Sequence, residues 1–193
     1  MHKHNFSNRE LLEFGWSKTK DNFWYILQVI LIAGIVYGAS RYLGPISVLV
    51  SFCVGISVTT VALMIVHGHH PTLNDLFKKY NGYKVFLNYA IVSIISWVLI
   101  IGGFLLLIPG LYFMVKLQFA KLLVVDKDLS AMDAIKTSWK MTDGNFWSLF
   151  LYVLVVIGIN LIGAIPLGIG LFVTVPVTML ASVELYKKFS ADL

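Results

Sequence analysis

The sequence predicts an all-α membrane protein: six transmembrane helices arranged as three parallel helical hairpins, each preceded by a cytoplasmic interfacial amphipathic helix. Three observations predict it. Of 193 residues, 58% are hydrophobic and 13% charged, against about half and a quarter in an ordinary soluble domain. Charge-free runs of membrane length recur along the chain. A pattern of capping, aromatic and polar residues near the N-terminus returns 123 positions later. So much apolar surface needs lipid as its solvent, which excludes a water-soluble globular protein.

The elements follow in order. Residues 23 to 40 and 45 to 66 are charge-free and separated by Arg41, Tyr42, Leu43, Gly44 and Pro45. Each is long enough for a bilayer core that needs about 20 helical residues, so the two read as a hairpin. Residues 85 to 115 also lack charge, and at about 1.5 Å per residue one helix of that length overshoots a core roughly 30 Å thick. Ile108, Pro109 and Gly110 offer the turn. The following span then continues through Lys116, Gln118 and Lys121 to about Val125. Residues 144 to 183 divide in the same way at Gly163, Pro166 and Gly168.

Fourteen of the fifteen lysines and arginines fall on one side of this six-span arrangement, and Arg41 alone falls on the other. Short cytoplasmic segments are enriched in these residues, so both termini are expected in the cytoplasm, in a multi-pass inner-membrane protein. A five-span arrangement would export the lysine-rich segment from 116 to 140 and is rejected. No cleaved signal peptide is expected from the first twenty-two residues. Cys53 is the single cysteine, which leaves no intramolecular disulfide and no cysteine-built zinc site. The net charge of +5 sits beside membrane-length runs, so the expected partners are anionic lipid headgroups rather than nucleic acid. A membrane-protein partner or a second copy of the chain is also compatible.

Ser7, Glu10, Trp16, Thr19, Asn22, Phe23 and Trp24 reappear as Ser130, Asp133, Trp139, Thr142, Asn145, Phe146 and Trp147. A serine followed three residues later by an acid is a helix-start signature. Leu12, Trp16, Thr19 and Phe23, like Ile135, Trp139, Thr142 and Phe146, recur at helical spacing and give an apolar stripe suited to the headgroup layer. Thr72, Asp75, Leu76, Tyr80, Tyr83 and Phe86 form a fainter middle copy. The chain therefore reads as one membrane domain, 1–193, built from parallel units of approximately 7–70, 72–128 and 130–190.

The run Ile108-Pro109-Gly110-Leu111-Tyr112, then Lys116, Val125-Asp126 and Ser130-Ala131-Met132-Asp133-Ala134-Ile135-Lys136-Thr137-Ser138-Trp139 resembles a group of prokaryotic six-helix membrane families. That group includes the membrane domain fused to some glycerophosphodiester phosphodiesterases. The resemblance implies a helical membrane module. No phosphodiesterase domain is present in this sequence, so that activity is not carried over.

Lys116 falls near mid-bilayer, where a lysine costs on the order of 3 kcal/mol unless it faces protein or water. It reads either as part of a polar or lipid-headgroup site or as a structural lysine bonded to helix carbonyls. Gln118, Lys121, Asn160 and Glu184 are the other candidates for an intramembrane polar or lipid site; Lys121 and Glu184 fall at similar depths, which allows either an ion pair or separate snorkelling to the interface. Trp16, Phe23, Trp24, Trp139, Phe146 and Trp147 are candidate interface anchors. Gln28 and Asn88 read as interhelical hydrogen-bonding residues, Gly34 and Gly38 as a close-approach strip, and Pro176 as a kink. His67, His69 and His70 cluster before Pro71, with His2 and His4 on the same side, but no acid or cysteine stands at metal-ligand spacing. No catalytic set or phosphate-binding loop is present, so no enzyme activity and no cofactor are expected. The leading expectation is a non-enzymatic membrane module acting through lipid or partner contacts. The alternative is a small transporter or channel with a path between the hairpins near Lys116, lined by Gln118 and Asn160.

Overall fold

The computed structural model describes residues 6–69, 72, 83–104, 108–165 and 168–191, and every regular element among them is helical. The order is α1 (Asn8–Asp21), α2 (Phe23–Ser40), a 3-10 turn (Arg41–Leu43), α3 (Ile46–Val66), α4 (Tyr83–Phe104), α5 (Ile108–Leu117), α6 (Ala120–Lys127), α7 (Ala131–Thr142), α8 (Phe146–Ala164) and α9 (Leu171–Ser190). Among the described residues, four stretches are long and apolar enough to cross a membrane: Phe23–Ser40, Ile46–Val66, Tyr83–Gly102 and Phe146–Ala164.

The entry helices α2, α4 and α8 turn apolar side chains outward, among them Ile35, Trp97 and Ile162. The centre is built from α3, α6 and α9, whose Ile56, Val61, Leu123, Val124, Leu180, Ala181 and Leu185 are buried together. Phe119, between α5 and α6, meets Tyr186 and Phe189 of α9 with ring centroids 6.0 and 5.6 Å apart. An outer layer with apolar side chains turned outward over an inner layer packed on itself is the form expected of a helical membrane domain, whose surface needs no polar side.

Gly44 carries the chain from α2 to α3 with φ at +56°, a backbone conformation that glycine adopts without steric cost. Ile108, Pro109 and Gly110 are the first turn of α5 rather than a turn between spans. Proline fits there because the first helical amides have no partner within the helix. The expected fourth span is interrupted at Gln118 and Phe119, leaving α5 and α6 as two short helices. At this break Ser138 Oγ donates to the carbonyl of Lys116 at 2.7 Å, taking one of the terminal carbonyls that a helix end leaves open. Gly163 lies inside α8, Gly168 has φ of +80°, and Pro166 lies outside the described residues. Most of the fainter middle copy, with Asp75, Leu76 and Tyr80, also lies outside them; Tyr83 opens α4.

Ser130 caps α7: its Oγ accepts from the Asp133 amide at 3.2 Å and donates to the Asp133 carboxylate at 2.6 Å. Ser7 stands at the corresponding position of α1 without a side-chain capping bond. The helix faces also differ from the expected stripes. Leu11, Gly15 and Thr19 are buried on α1, and Ala134, Ser138 and Thr142 on α7, the same positions at the 123-residue offset. Trp16 sits beside that face and is half exposed. Small residues form the seat because the helices must approach closely: a Cβ on Gly15 would collide with the Val177 carbonyl and stand 3.2 Å from Ala181 Cβ.

Candidate functional site

The chain places a sealed charge at the junction of α5, α7 and α8. Lys116, one residue before the end of α5, is 3% exposed. Its Nζ donates to Asp143 Oδ1, at the C-terminal end of α7, as an ion pair. The ammonium also lies 5.6 Å from the ring centre of Tyr112 and 5.5 Å from that of Trp139, so two aromatic faces and one carboxylate replace its hydration. Tyr112 contacts Trp139 and Phe146 at 5.6 and 5.4 Å, and Phe146 stacks on Phe150 at 6.1 Å. Trp139 and Phe146 are therefore half-buried walls of this cluster. Trp16, Phe23, Trp24 and Trp147 remain well exposed, Trp24 and Trp147 at 74% and 72%.

Lys121 does not pair with Glu184: its ammonium lies 5.7 Å from the centre of the Tyr89 ring, and among the described residues it forms no ion pair. Glu184 is half-buried on α9. Asn160 staples α8 to α9, donating to Val156 O at 3.0 Å and to Thr178 Oγ1 at 3.2 Å. Gln118 lies at the α5–α6 break with its Nε2 buried and unpartnered. It lines a cleft of about 240 Å³ together with Ser96, Ile100, Met114, Leu117, Lys121 and Val153. The five candidate polar residues thus occupy separate places: Lys116 in its ion pair, Gln118 and Lys121 in the cleft, Asn160 between α8 and α9, and Glu184 on α9.

Two residues matter more than their sequence context signals. Asp143 supplies the partner of Lys116 from an otherwise ordinary polar turn, and only its position after the tryptophan helix hinted at the junction. Asn88 accepts from the Ala131 amide at 3.1 Å, so a polar residue of α4 holds the start of α7. Gly34 and Gly38 have nothing within 4 Å of an added Cβ and make no close helix approach among the described residues. His67 Nδ1 is 2.7 Å from Leu63 O, and His67 and His69 are exposed; among the described residues no three His, Cys, Asp or Glu side chains could hold a metal. His2, His4 and His70 lie outside them. On the open side of α1, Arg9 donates to Glu13 at 2.7 Å, and this hydrogen bond, with the nearby charge, raises the guanidinium above its ordinary pKa.

Residues 3–192 match the family described as "Protein of unknown function (DUF975)". The chain belongs to that family. The match covers nearly the whole sequence and names neither six helices nor a phosphodiesterase fusion. Among curated proteins, the uncharacterized protein Rv2560 of Mycobacterium tuberculosis is 29% identical over 133 residues, covering 69% of this chain and 40% of the relative. The uncharacterized protein Mb2590 of Mycobacterium bovis matches with the same identity and coverage. The chain thus spans well under two thirds of these relatives' length. No solved structure matches.

Proposed function

We propose that the chain is a non-enzymatic integral membrane module of the inner membrane that crosses the bilayer six times, keeps both termini in the cytoplasm and acts through anionic lipids or a membrane partner. The observation that carries the reading is the pair of helices α1 and α7. Each is seated on the helix bundle by small buried residues, Gly15 and Ser138 at the centre. Lys20 and Trp16 on α1, with Lys136 and Lys140 on α7, remain on their open sides. Lysines beside tryptophan at a membrane surface suit anionic headgroups and the interfacial layer.

The four long apolar helices supply four crossings. The proposed fifth and sixth are α9, whose Lys187 and Lys188 close its last turn, and the broken pair α5 and α6. The 20 residues of 108–127 reach about 30 Å when helical. The matching buried positions of α1 and α7 support parallel repeat units. Against a transport path at Lys116 stand its burial and its pairing with Asp143.

The test is reconstitution into phosphatidylglycerol and phosphatidylcholine vesicles, with tryptophan quenching by brominated lipids and release of an encapsulated ion as readouts. Shallow quenching, stronger in phosphatidylglycerol, without release is expected. Rapid release by wild type that is lost in Lys116→Leu would overturn the module in favour of a conducting path.

A further inference from the structure

The wall of the cleft between α4, the α5–α6 break and α8 contains two buried hydrogen-bond donors with no acceptor among the described residues. Ser96 is 7% exposed, and its hydroxyl is buried without a hydrogen-bond partner. Gln118 Nε2 is likewise buried and unpartnered, and both residues line the cleft. Lys121 also lines the cleft; its ammonium lies 5.7 Å from the centre of the Tyr89 ring and forms no ion pair among the described residues. The remaining wall is Ile100, Met114, Leu117 and Val153, which offers no side-chain acceptor.

We infer that this cleft binds a diacyl phospholipid with a net negative headgroup, its phosphate at Lys121, an ester carbonyl at Gln118 and Ser96, and an acyl chain along Ile100, Met114 and Val153. The inference rests on the lipid-contact reading above and names the lipid and its site. A buried donor facing lipid has no water to satisfy it, so an unmet hydroxyl and amide there call for an acceptor from a bound molecule. Phosphate and ester oxygens are acceptors only, and so suit the unmet Ser96 hydroxyl, the Gln118 amide N–H and the Lys121 ammonium.

The geometry sets the order of the groups. Lys121 stands six residues before Lys127 at the end of α6, about 9 Å of helix below that end. Ser96 stands 13 residues into α4 from Tyr83, about 20 Å along it. The charged end of the cleft is therefore nearer the proposed cytoplasmic surface, and the hydroxyl lies deeper, as in a lipid whose headgroup stays shallow and whose chains run inward. A volume of about 240 Å³ is well above the roughly 10–15 Å³ needed to admit one water and leaves room for the ester region and the first methylenes. The site lies where the helix is interrupted, and non-helical backbone at membrane depth persists where protein buries it or where it lines a cavity.

The experiment is native mass spectrometry of the purified full chain titrated with phosphatidylglycerol, phosphatidylcholine, oleate or inorganic phosphate. Wild type is expected to favour phosphatidylglycerol over phosphatidylcholine by about tenfold, because both phosphates accept from Lys121 but the choline cation is repelled by its ammonium, and Lys121→Met should erase that preference. Gln118→Leu and Ser96→Ala should weaken both phospholipids alike by about threefold or more, because the ester carbonyl is common to them. Should a variant fail to fold, photoactivatable phosphatidylglycerol on wild type gives the answer: label on residues 92–100 and 114–121 supports the site, and label confined to other segments overturns it. Equal binding of the two phospholipids, an undiminished preference in Lys121→Met, or oleate or phosphate outcompeting phosphatidylglycerol would also overturn it. Quenching of the interfacial tryptophans does not depend on Lys121. It separates failure of this site from failure of the module reading.

Discussion

Removing either partner of the Lys116–Asp143 pair should produce unequal losses, because the two side chains are unequally buried. The Lys116 side chain is 4% exposed and that of Asp143 46%. Asp143→Ala strands an ammonium inside the protein with only the Tyr112 and Trp139 faces for company. Breaking a fully buried pair this way costs about 3–5 kcal/mol; water reaching the half-open carboxylate position reduces the figure to about 2–3 kcal/mol. Lys116→Leu instead removes the charge itself and leaves Asp143 free to hydrate. It forfeits two cation–π contacts of about 0.5–1 kcal/mol each but relieves a desolvated ion, so its net effect stays within about 1 kcal/mol. The double variant should resemble Lys116→Leu, a coupling of about 2 kcal/mol. Thermal unfolding in detergent, followed by tryptophan fluorescence, should show Asp143→Ala lower by about 4 to 12 °C and Lys116→Leu by no more than about 4 °C. A larger loss in Lys116→Leu, or additive effects in the double variant, would refute the asymmetry. Added phosphatidylglycerol should raise the midpoint of wild type and Lys116→Leu equally. A selective loss of that increment in Lys116→Leu would place the headgroup at Lys116 instead of Lys121.

Three further outcomes test the architecture. Gly15→Ala should cost about 1–3 kcal/mol by forcing α1 off α9, read as a lower unfolding midpoint, whereas Gly34→Ala, with nothing within 4 Å, should leave the midpoint unchanged or slightly higher. Asn88→Leu leaves the Ala131 amide without its acceptor and should cost about 1 kcal/mol; faster amide exchange over the first turn of α7 would locate the loss. Cysteines introduced near Gly44, Pro109 and Pro166 should label from outside intact cells, and cysteines at Lys78 or Lys136 should not; the reverse pattern would invert the proposed topology.

Composition was enough to assign the chain to a membrane, and the boundaries of α2, α3 and α8 follow from where charge and Gly/Pro signals interrupt apolar runs. The serine-acid start of α7 and the returning Asn-Phe-Trp were legible because capping and helix entry are local chemistry. Lys116 stood out as a residue needing protein around it. Its partner did not, since Asp143 is 27 positions away in a turn where an aspartate is unremarkable, and only folding α7 back onto α5 brings the two charges together. The break at Gln118 and Phe119 has no proline or glycine to announce it. There, a terminal carbonyl is met by Ser138 from another helix.

The sequence by itself determined the helical membrane class, the entry helices and the presence of a charge to be accommodated. The tertiary structure decided that α3, α6 and α9 form the centre, that α1 and α7 seat on small residues beside their tryptophans, and that Gln118 and Lys121 share a cleft with Ser96. The physical reason is that lipid and protein interior are equally apolar. A helix that faces lipid on one side and protein on the other carries little contrast in its hydrophobic pattern, so its packing face is fixed by shape and by partners on other helices.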